Sequence, residues 1–176
     1  MRMGVEYVIL VTKDDKPIGT MEKMMAHQKA TLHRAFSVFI FNSKGQLLIQ
    51  QRASNKYHSP LLWTNTVCSH PRQDEKTKDA AHRRLVEEMG FDCDFDEAFS
   101  FIYKADVGQG LIEHEFDHVF IGVSDQEPSP NPGEVESWKY ADLGFLENDI
   151  NENPHLYTIW FQIALEEVLE KFKWKK

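Results

Sequence analysis

The stretch from Thr77 to Met89 constrains the fold of this chain most. Its apolar residues Ala80, Ala81, Leu85 and Met89 recur at helical spacing and share one side, with charged residues between them. Gly90 stands where a helix ends in the left-handed conformation. The spacing predicts a helix over 77–89 with one side laid against another layer.

Elsewhere the pattern is mixed. Tyr7 to Thr12 reads as a strand, closed by a turn at Asp14-Asp15-Lys16-Pro17. Ala35 to Phe41 and Gln46 to Gln51 are β-rich runs joined by Asn42-Ser43-Lys44-Gly45, a hairpin pattern. Lys56 to His70 reads as loop. Phe99 to Asp106 and Leu111 to Val123 form a second hairpin around Gly108-Gln109-Gly110. Ser124 to Gly133 holds three prolines and reads as loop, followed by a short strand from Glu136 to Tyr140. Pro154 opens a last helix at its first turn, whose apolar face includes Ile159, Ile163, Leu165, Val168, Leu169 and Phe172. Without a regular βαβ repeat, this describes a single α+β domain over 1–176 with a C-terminal helix at about 154–173.

The net charge of −8 argues against nucleic-acid or anionic-membrane partners, so an anionic ligand would need locally concentrated cations or a metal. Cys68 and Cys93 make no disulfide framework, and the Val8–Val11 run is too short for a signal or a span. The basic run from Lys171 to Lys176 suits the last turn of a helix. A cytoplasmic protein, monomeric or weakly dimeric, is expected.

Cys68 and His70 share one face if their segment is extended, so both can serve one pocket, although Cys is often only a small buried hydrophobe. In Glu113-His114-Glu115 a strand would put both carboxylates on one side and His114 on the other. Two such charges repel unless a cation or proton lies between them, or they sit on a solvated edge strand. His27 and His33 add two imidazoles. With His70, Glu113 and Glu115 they form a ligand set suited to Zn²⁺ or Mn²⁺.

The run from Ser69 to Phe91 resembles the Nudix box, G-x5-E-x7-R-E-U-x-E-E-x-G-U. Glu75, Arg83, Leu85, Glu87, Glu88, Gly90 and Phe91 fall in register. Ser69 replaces the first glycine, and Arg84 replaces a glutamate that binds metal in Nudix hydrolases. The altered box implies that the scaffold is kept and the hydrolysis is not. Together with Gly19-Thr20-Met21-Glu22-Lys23, Leu32-His33-Arg34-Ala35-Phe36-Ser37, Trp63-Thr64-Asn65-Thr66-Val67-Cys68-Ser69-His70-Pro71 and Glu113-His114-Glu115, the altered box is similar to the type 1 isopentenyl diphosphate isomerases.

The resemblance implies a Nudix-type α/β/α sandwich with a mixed β-sheet. It implies interconversion of isopentenyl and dimethylallyl diphosphate, a 1,3-proton shift through a tertiary carbocation. Such a reaction needs an acid, an opposed base and stabilisation of the cation between them. Carried over, Cys68 and Glu115 are the opposed pair, with Tyr103 as a proton relay beside Glu115. Alkene protonation falls to Glu115 with Tyr103 and allylic proton removal to Cys68, with the opposite assignment left open. His27, His33, His70, Glu113 and Glu115 hold one Zn²⁺ or Mn²⁺; Glu88 holds Mg²⁺ with the diphosphate; no flavin is expected. Lys23, Arg52, Lys56 and Arg84 bind the diphosphate, Arg84 as a fork for phosphate oxygens. Taken singly, Lys23 and Lys56 would read as solvated charges. Trp160 covers the carbocation, an interaction of about 2 kcal/mol or more once desolvated, where position alone would make it a core aromatic. Residues 1–33 form a lid that keeps water out. His58, His82, His114, His118, His155 and Cys93 receive only structural or solvated roles. The rival readings are a pyrophosphohydrolase of a nucleoside diphosphate derivative, against which Arg84 stands, and a silent binding domain, against which Cys68, Tyr103 and Glu115 stand.

Overall fold

The computed structural model describes residues 5–172. At its centre, β3 (His33–Phe41) runs parallel to β8 (Leu111–Val123). β8 carries the long β7 (Phe95–Gly108) antiparallel on its far side. β1 (Tyr7–Val11) and β2 (Pro17–Glu22) form a hairpin joined to β3 at Leu10 and His33. β4 (Leu47–Arg52) pairs with β3 at Phe41 and Leu47, and also with β5 (Trp63–Thr64) and β9 (Val135–Ala141). β6 (Val67–Ser69) pairs with β3.

Alternation along β3 sorts its side chains between two layers. Phe36, Val38 and Ile40 pack with Ala80, Ala81, Leu85 and Met89 of α2 (Thr77–Met89). Phe39 and Phe41 pack on the other face with Trp160, Phe161, Leu165 and Val168 of α4 (Ile159–Phe172). The result is an α/β/α sandwich around a mixed sheet. The basic residues Lys173 to Lys176 and the first four residues of the expected lid lie outside the described residues. From residue 5 onward that segment is the β1–β2 hairpin followed by α1 (Lys23–Gln28).

The structure corrects three expectations. Residues 56–70 are not all loop, because β5 and β6 fall within them. Buried side chains replace the missing ladder there. Thr66 Oγ1 donates to Leu48 O (2.7 Å) and accepts from Ile40 N (2.9 Å), and Asn65 Nδ2 donates to Val67 O at 2.6 Å. These bonds wedge 64–67 between β3 and β4 and splay the two strands apart. Second, Pro154 opens a separate 3-10 turn at Pro154–Leu156, and α4 begins only at Ile159. Tyr157 is held extended by a bridge to Trp63, and Thr158 N donates to Trp63 O at 2.9 Å. Third, a helix not expected from sequence, α3 (Leu143–Glu152), buries little beyond Leu146.

Gly90 ends α2 at φ 76° with its N–H on Val86 O at 3.0 Å. A Cβ there would lie 2.3 Å from the carbonyl oxygen of Ser129. That loop also caps α2, because Ser129 N and Asn131 N donate to Met89 O and Glu88 O. Gly90→Ala is expected to cost about 2–5 kcal/mol, the sum of left-handed strain and a backbone clash. The measurement is the shift in urea midpoint; an unchanged midpoint would show that the loop yields freely.

Candidate active site

Three neighbouring strands bring His33, Glu115 and Tyr103 into one row: His33 of β3 pairs with Glu115 of β8, which pairs with Tyr103 of β7. On β8, Glu113, Glu115 and Asp117 turn inward and are buried, so this central strand is no solvated edge. His114 turns the other way, its Nδ1 donating to Ala30 O at 2.8 Å. β6 sets Cys68 beside Ser37, with His70 following. α1, capped by Glu22 on the N–H groups of Met24 and Met25, brings in Lys23 and, one turn later, His27.

One ligating atom from each of His27, His33, His70, Glu113 and Glu115 lies within 4.8 Å of all the others. Hydrogen bonding orients two of the imidazoles. His27 Nδ1 donates to Lys23 O (2.6 Å) and His33 Nδ1 to Thr31 O (2.8 Å), which leaves each Nε2 lone pair pointing inward when the ring is neutral. His27 Nε2 and Glu113 Oε2 then face each other at 3.1 Å, buried and without a hydrogen bond. His33 Nε2 lies 3.2 Å from His70 Nε2 and 3.5 Å from Glu115 Oε1. With neutral rings, His27 Nε2 meets Glu113 Oε2 and His33 Nε2 meets Glu115 Oε1 as acceptor on acceptor, while His70 Nε2 can donate to Glu115 Oε1 at 2.7 Å. A divalent cation relieves both conflicts. The donor set fits one.

Cys68 is half-buried, and burial pushes its thiol up to about 12 despite the Arg52 guanidinium 3.9 Å away. Tyr103 Oη donates to Glu115 Oε2 at 2.6 Å and is held well above its usual range by burial and then by Glu115. Burial would raise Glu115, but the His33 and His70 imidazoles outweigh it and hold the carboxyl well below the usual range. In the free protein the exchangeable protons of this group therefore rest on Cys68 and Tyr103. Asp117, two residues on, goes the other way: burial and then the charge of Glu115 raise it, with Ser37 Oγ donating to its Oδ2 at 2.8 Å.

Cys68, Tyr103, Glu113, Glu115 and Trp160 line one cavity of about 70 Å³. It adjoins an open groove of about 590 Å³, with Lys23, Lys56 and Arg84 on the shared wall. Phe36, Cys68 and Trp160 give the cavity an apolar side, and the shared cations suit an anion at its mouth. Lys23 is paired with Glu6 (2.9 Å) and lies over the Tyr57 ring, and Lys56 is paired with Glu134. Neither lysine is a solvated surface charge; each keeps only 20% of its side-chain exposure. Arg84 reaches Glu87 (2.8 Å), Glu88 (2.6 Å) and Glu134 (3.0 Å). Arg83, the arginine of the box, is forked on Glu75 at 2.7 and 2.8 Å. Glu88 is buried, its second oxygen accepting from Gln50 at 2.8 Å. Arg52 stacks over Trp160 at 5.3 Å, and Trp160 Nε1 donates to Thr64 at 3.0 Å.

Sequence reasoning missed His58, Tyr57, Glu134 and Asp117. His58 is buried, not solvated, and its Nε2 lies 3.0 Å from Glu113 Oε1. Only Asp117 carried a signal, as the next member of the alternation that begins with Glu113 and Glu115. Among the described residues no helix is long and apolar enough to cross a membrane.

The family model of the NUDIX domain matches residues 31–167. The chain is 51% identical to isopentenyl-diphosphate Delta-isomerase 1 of Aromatoleum aromaticum, over 93% of each chain. It is 54% identical to isopentenyl-diphosphate Delta-isomerase 2 of Photorhabdus laumondii over 89% of each. It is 48% identical to the isopentenyl-diphosphate Delta-isomerase of Serratia proteamaculans over 93% of this chain and 91% of that one. Among solved structures, DR0079 from Deinococcus radiodurans superposes with a TM-score of 0.71 at 22% identity, covering 84% of this chain and 90% of that one.

Proposed function

This chain belongs to the NUDIX domain family and, within it, to the isopentenyl-diphosphate Delta-isomerases, and from that premise we propose that its small cavity interconverts isopentenyl and dimethylallyl diphosphate. The observation that carries the reading is that Cys68 and the Tyr103–Glu115 pair line one cavity whose outer wall is Lys23, Lys56 and Arg84. The hydrocarbon enters the cavity and the diphosphate lies in the groove. One group protonates C4 or removes the same proton in reverse; the other serves C2. Because the reaction is reversible, each is acid in one direction and base in the other. Glu115, ionised at rest, must take up a proton before it donates, and the Tyr103 hydroxyl is placed to pass it. Trp160 faces the cationic C3.

His27, His33, His70, Glu113 and Glu115 would hold one ion of the Zn²⁺ or Mn²⁺ type. Bound there, it would neutralise the carboxylates and fix Glu115 in place. Glu88 would take Mg²⁺ together with phosphate oxygens. Arg84 sits among three carboxylates in the free protein, so an arriving diphosphate exchanges one set of anionic partners for another. The chain acts in the cytoplasm on a small diphosphate.

Incubation with isopentenyl diphosphate and Mg²⁺ in D₂O, followed by NMR, tests the reading. Deuterated dimethylallyl diphosphate is expected. Release of phosphate or pyrophosphate would instead indicate hydrolysis, and unchanged substrate a binding domain.

A further inference from the structure

Four of the five clustered ligands are His27, His33, Glu113 and Glu115, and each is gripped from behind by a group that does not face the cluster. Lys23 O holds His27, Thr31 O holds His33 and Tyr103 Oη holds Glu115, at 2.6, 2.8 and 2.6 Å. Glu113 is held by His58, whose Nε2 lies 3.0 Å from Oε1 and leaves Oε2 facing the cluster. A carboxylate can only accept, so His58 Nε2 carries the proton. The other nitrogen agrees, because Ser59 Oγ lies 3.3 Å from Nδ1 and can donate to it.

His58 is itself well fixed. Its ring meets Tyr57 edge-on at 4.5 Å and Trp160 edge-on at 5.9 Å. Its carbonyl and that of Ser59 accept from Arg52 at 3.2 and 3.1 Å. We propose that His58 is the positioning residue for Glu113, and that through this bond it sets how tightly the His/Glu cluster binds its divalent ion. The inference rests on reading that cluster as a metal site. Without His58, Glu113 would lose a buried donor and the restraint that aims Oε2. The same ring meets Trp160, so the metal side and the cation-facing side of the cavity share one support.

The test compares wild type, His58→Leu and His58→Gln for Zn²⁺ affinity by chelator competition and for the visible spectrum of the Co²⁺-loaded protein. His58→Leu keeps the bulk without the donor and is expected to bind about 10–100-fold more weakly, with an altered spectrum. His58→Gln restores a donor and is expected to return both towards wild type. Equal affinity and an identical spectrum in His58→Leu would overturn the inference. Absence of Zn²⁺ binding by wild type would instead overturn the metal-site reading beneath it. A second measurement needs no variant: ¹⁵N NMR of the Zn²⁺-loaded wild type should show a proton on His58 Nε2, and a bare or metal-bound Nε2 would refute the inference.

Discussion

Replacing Cys68 with alanine is expected to lower turnover by between about 10²- and 10⁴-fold, the range for loss of a positioned acid–base group, with the fold intact. The change removes one sulfur from the wall of a cavity that already exists, in a strand whose pairing with β3 depends on backbone groups. A stability loss of about 1 kcal/mol is expected, typical of a point substitution. The metal ligands and the basic groove are untouched, so metal content and diphosphate affinity should stay near wild type. Activity near wild type would remove Cys68 from the mechanism.

The same variant shows which carbon each group serves. With Cys68 gone, Tyr103 and Glu115 can still add and remove a proton at their own carbon. If that carbon is C4, unreacted isopentenyl diphosphate gains deuterium at C4 in D₂O without forming product. If it is C2, dimethylallyl diphosphate gains deuterium at C2. Exchange at neither carbon would mean that the cation does not form without Cys68. The resting charges, a neutral thiol at Cys68 and an ionised Glu115, give the starting point for that partition.

What sequence could reveal here depended on whether the information was periodic. The helix 77–89 was legible to the residue because its apolar spacing persists for three turns and stops at a glycine. The pairing of Glu113 with Glu115 was legible because strand alternation puts them on one face, although burial in a central strand was not. β5 and β6 were not legible, since strands of two and three residues are too short to show a period, and Asn65 and Thr66 hold them through side chains. α3 was hidden by its composition, with Leu146 its one fully buried contact. Glu134 reaches Arg84 across fifty residues of chain, and His58 reaches Glu113 from a segment without pattern. Contacts of that kind are properties of the fold and leave no local trace. The residues that the family resemblance gathered fared differently: the structure brings Cys68, His70, Tyr103, Glu113 and Glu115 to one cavity.

Glu115→Gln is expected to show the largest effect of any single substitution, because the proposed function puts three roles on that carboxylate. Its Oε2 accepts from Tyr103 at 2.6 Å, and its Oε1 lies 2.7 Å from His70 and 3.5 Å from His33. The amide keeps the shape but loses the charge, the proton-accepting oxygen and a metal ligand together. Turnover should fall by at least about 10⁴-fold, the upper end for a single acid–base group, and Tyr103→Phe, which removes only the relay, should fall less. Stability should fall too. The His33 and His70 imidazoles hold the Glu115 carboxyl well below its usual range, so its charge stabilises the fold at neutral pH, and the metal-free variant should melt below metal-free wild type. Added Zn²⁺ separates the two proteins. Wild type should gain about 2.7 kcal/mol at a hundredfold excess over its Kd, by mass action, and the variant should gain little. If Glu115→Gln were stabilised by Zn²⁺ as strongly as wild type, Glu115 would not be a ligand. If it also turned over normally, the acid–base role would fall with it. A variant that lost turnover yet kept its Zn²⁺ stabilisation would leave Glu115 to the proton alone.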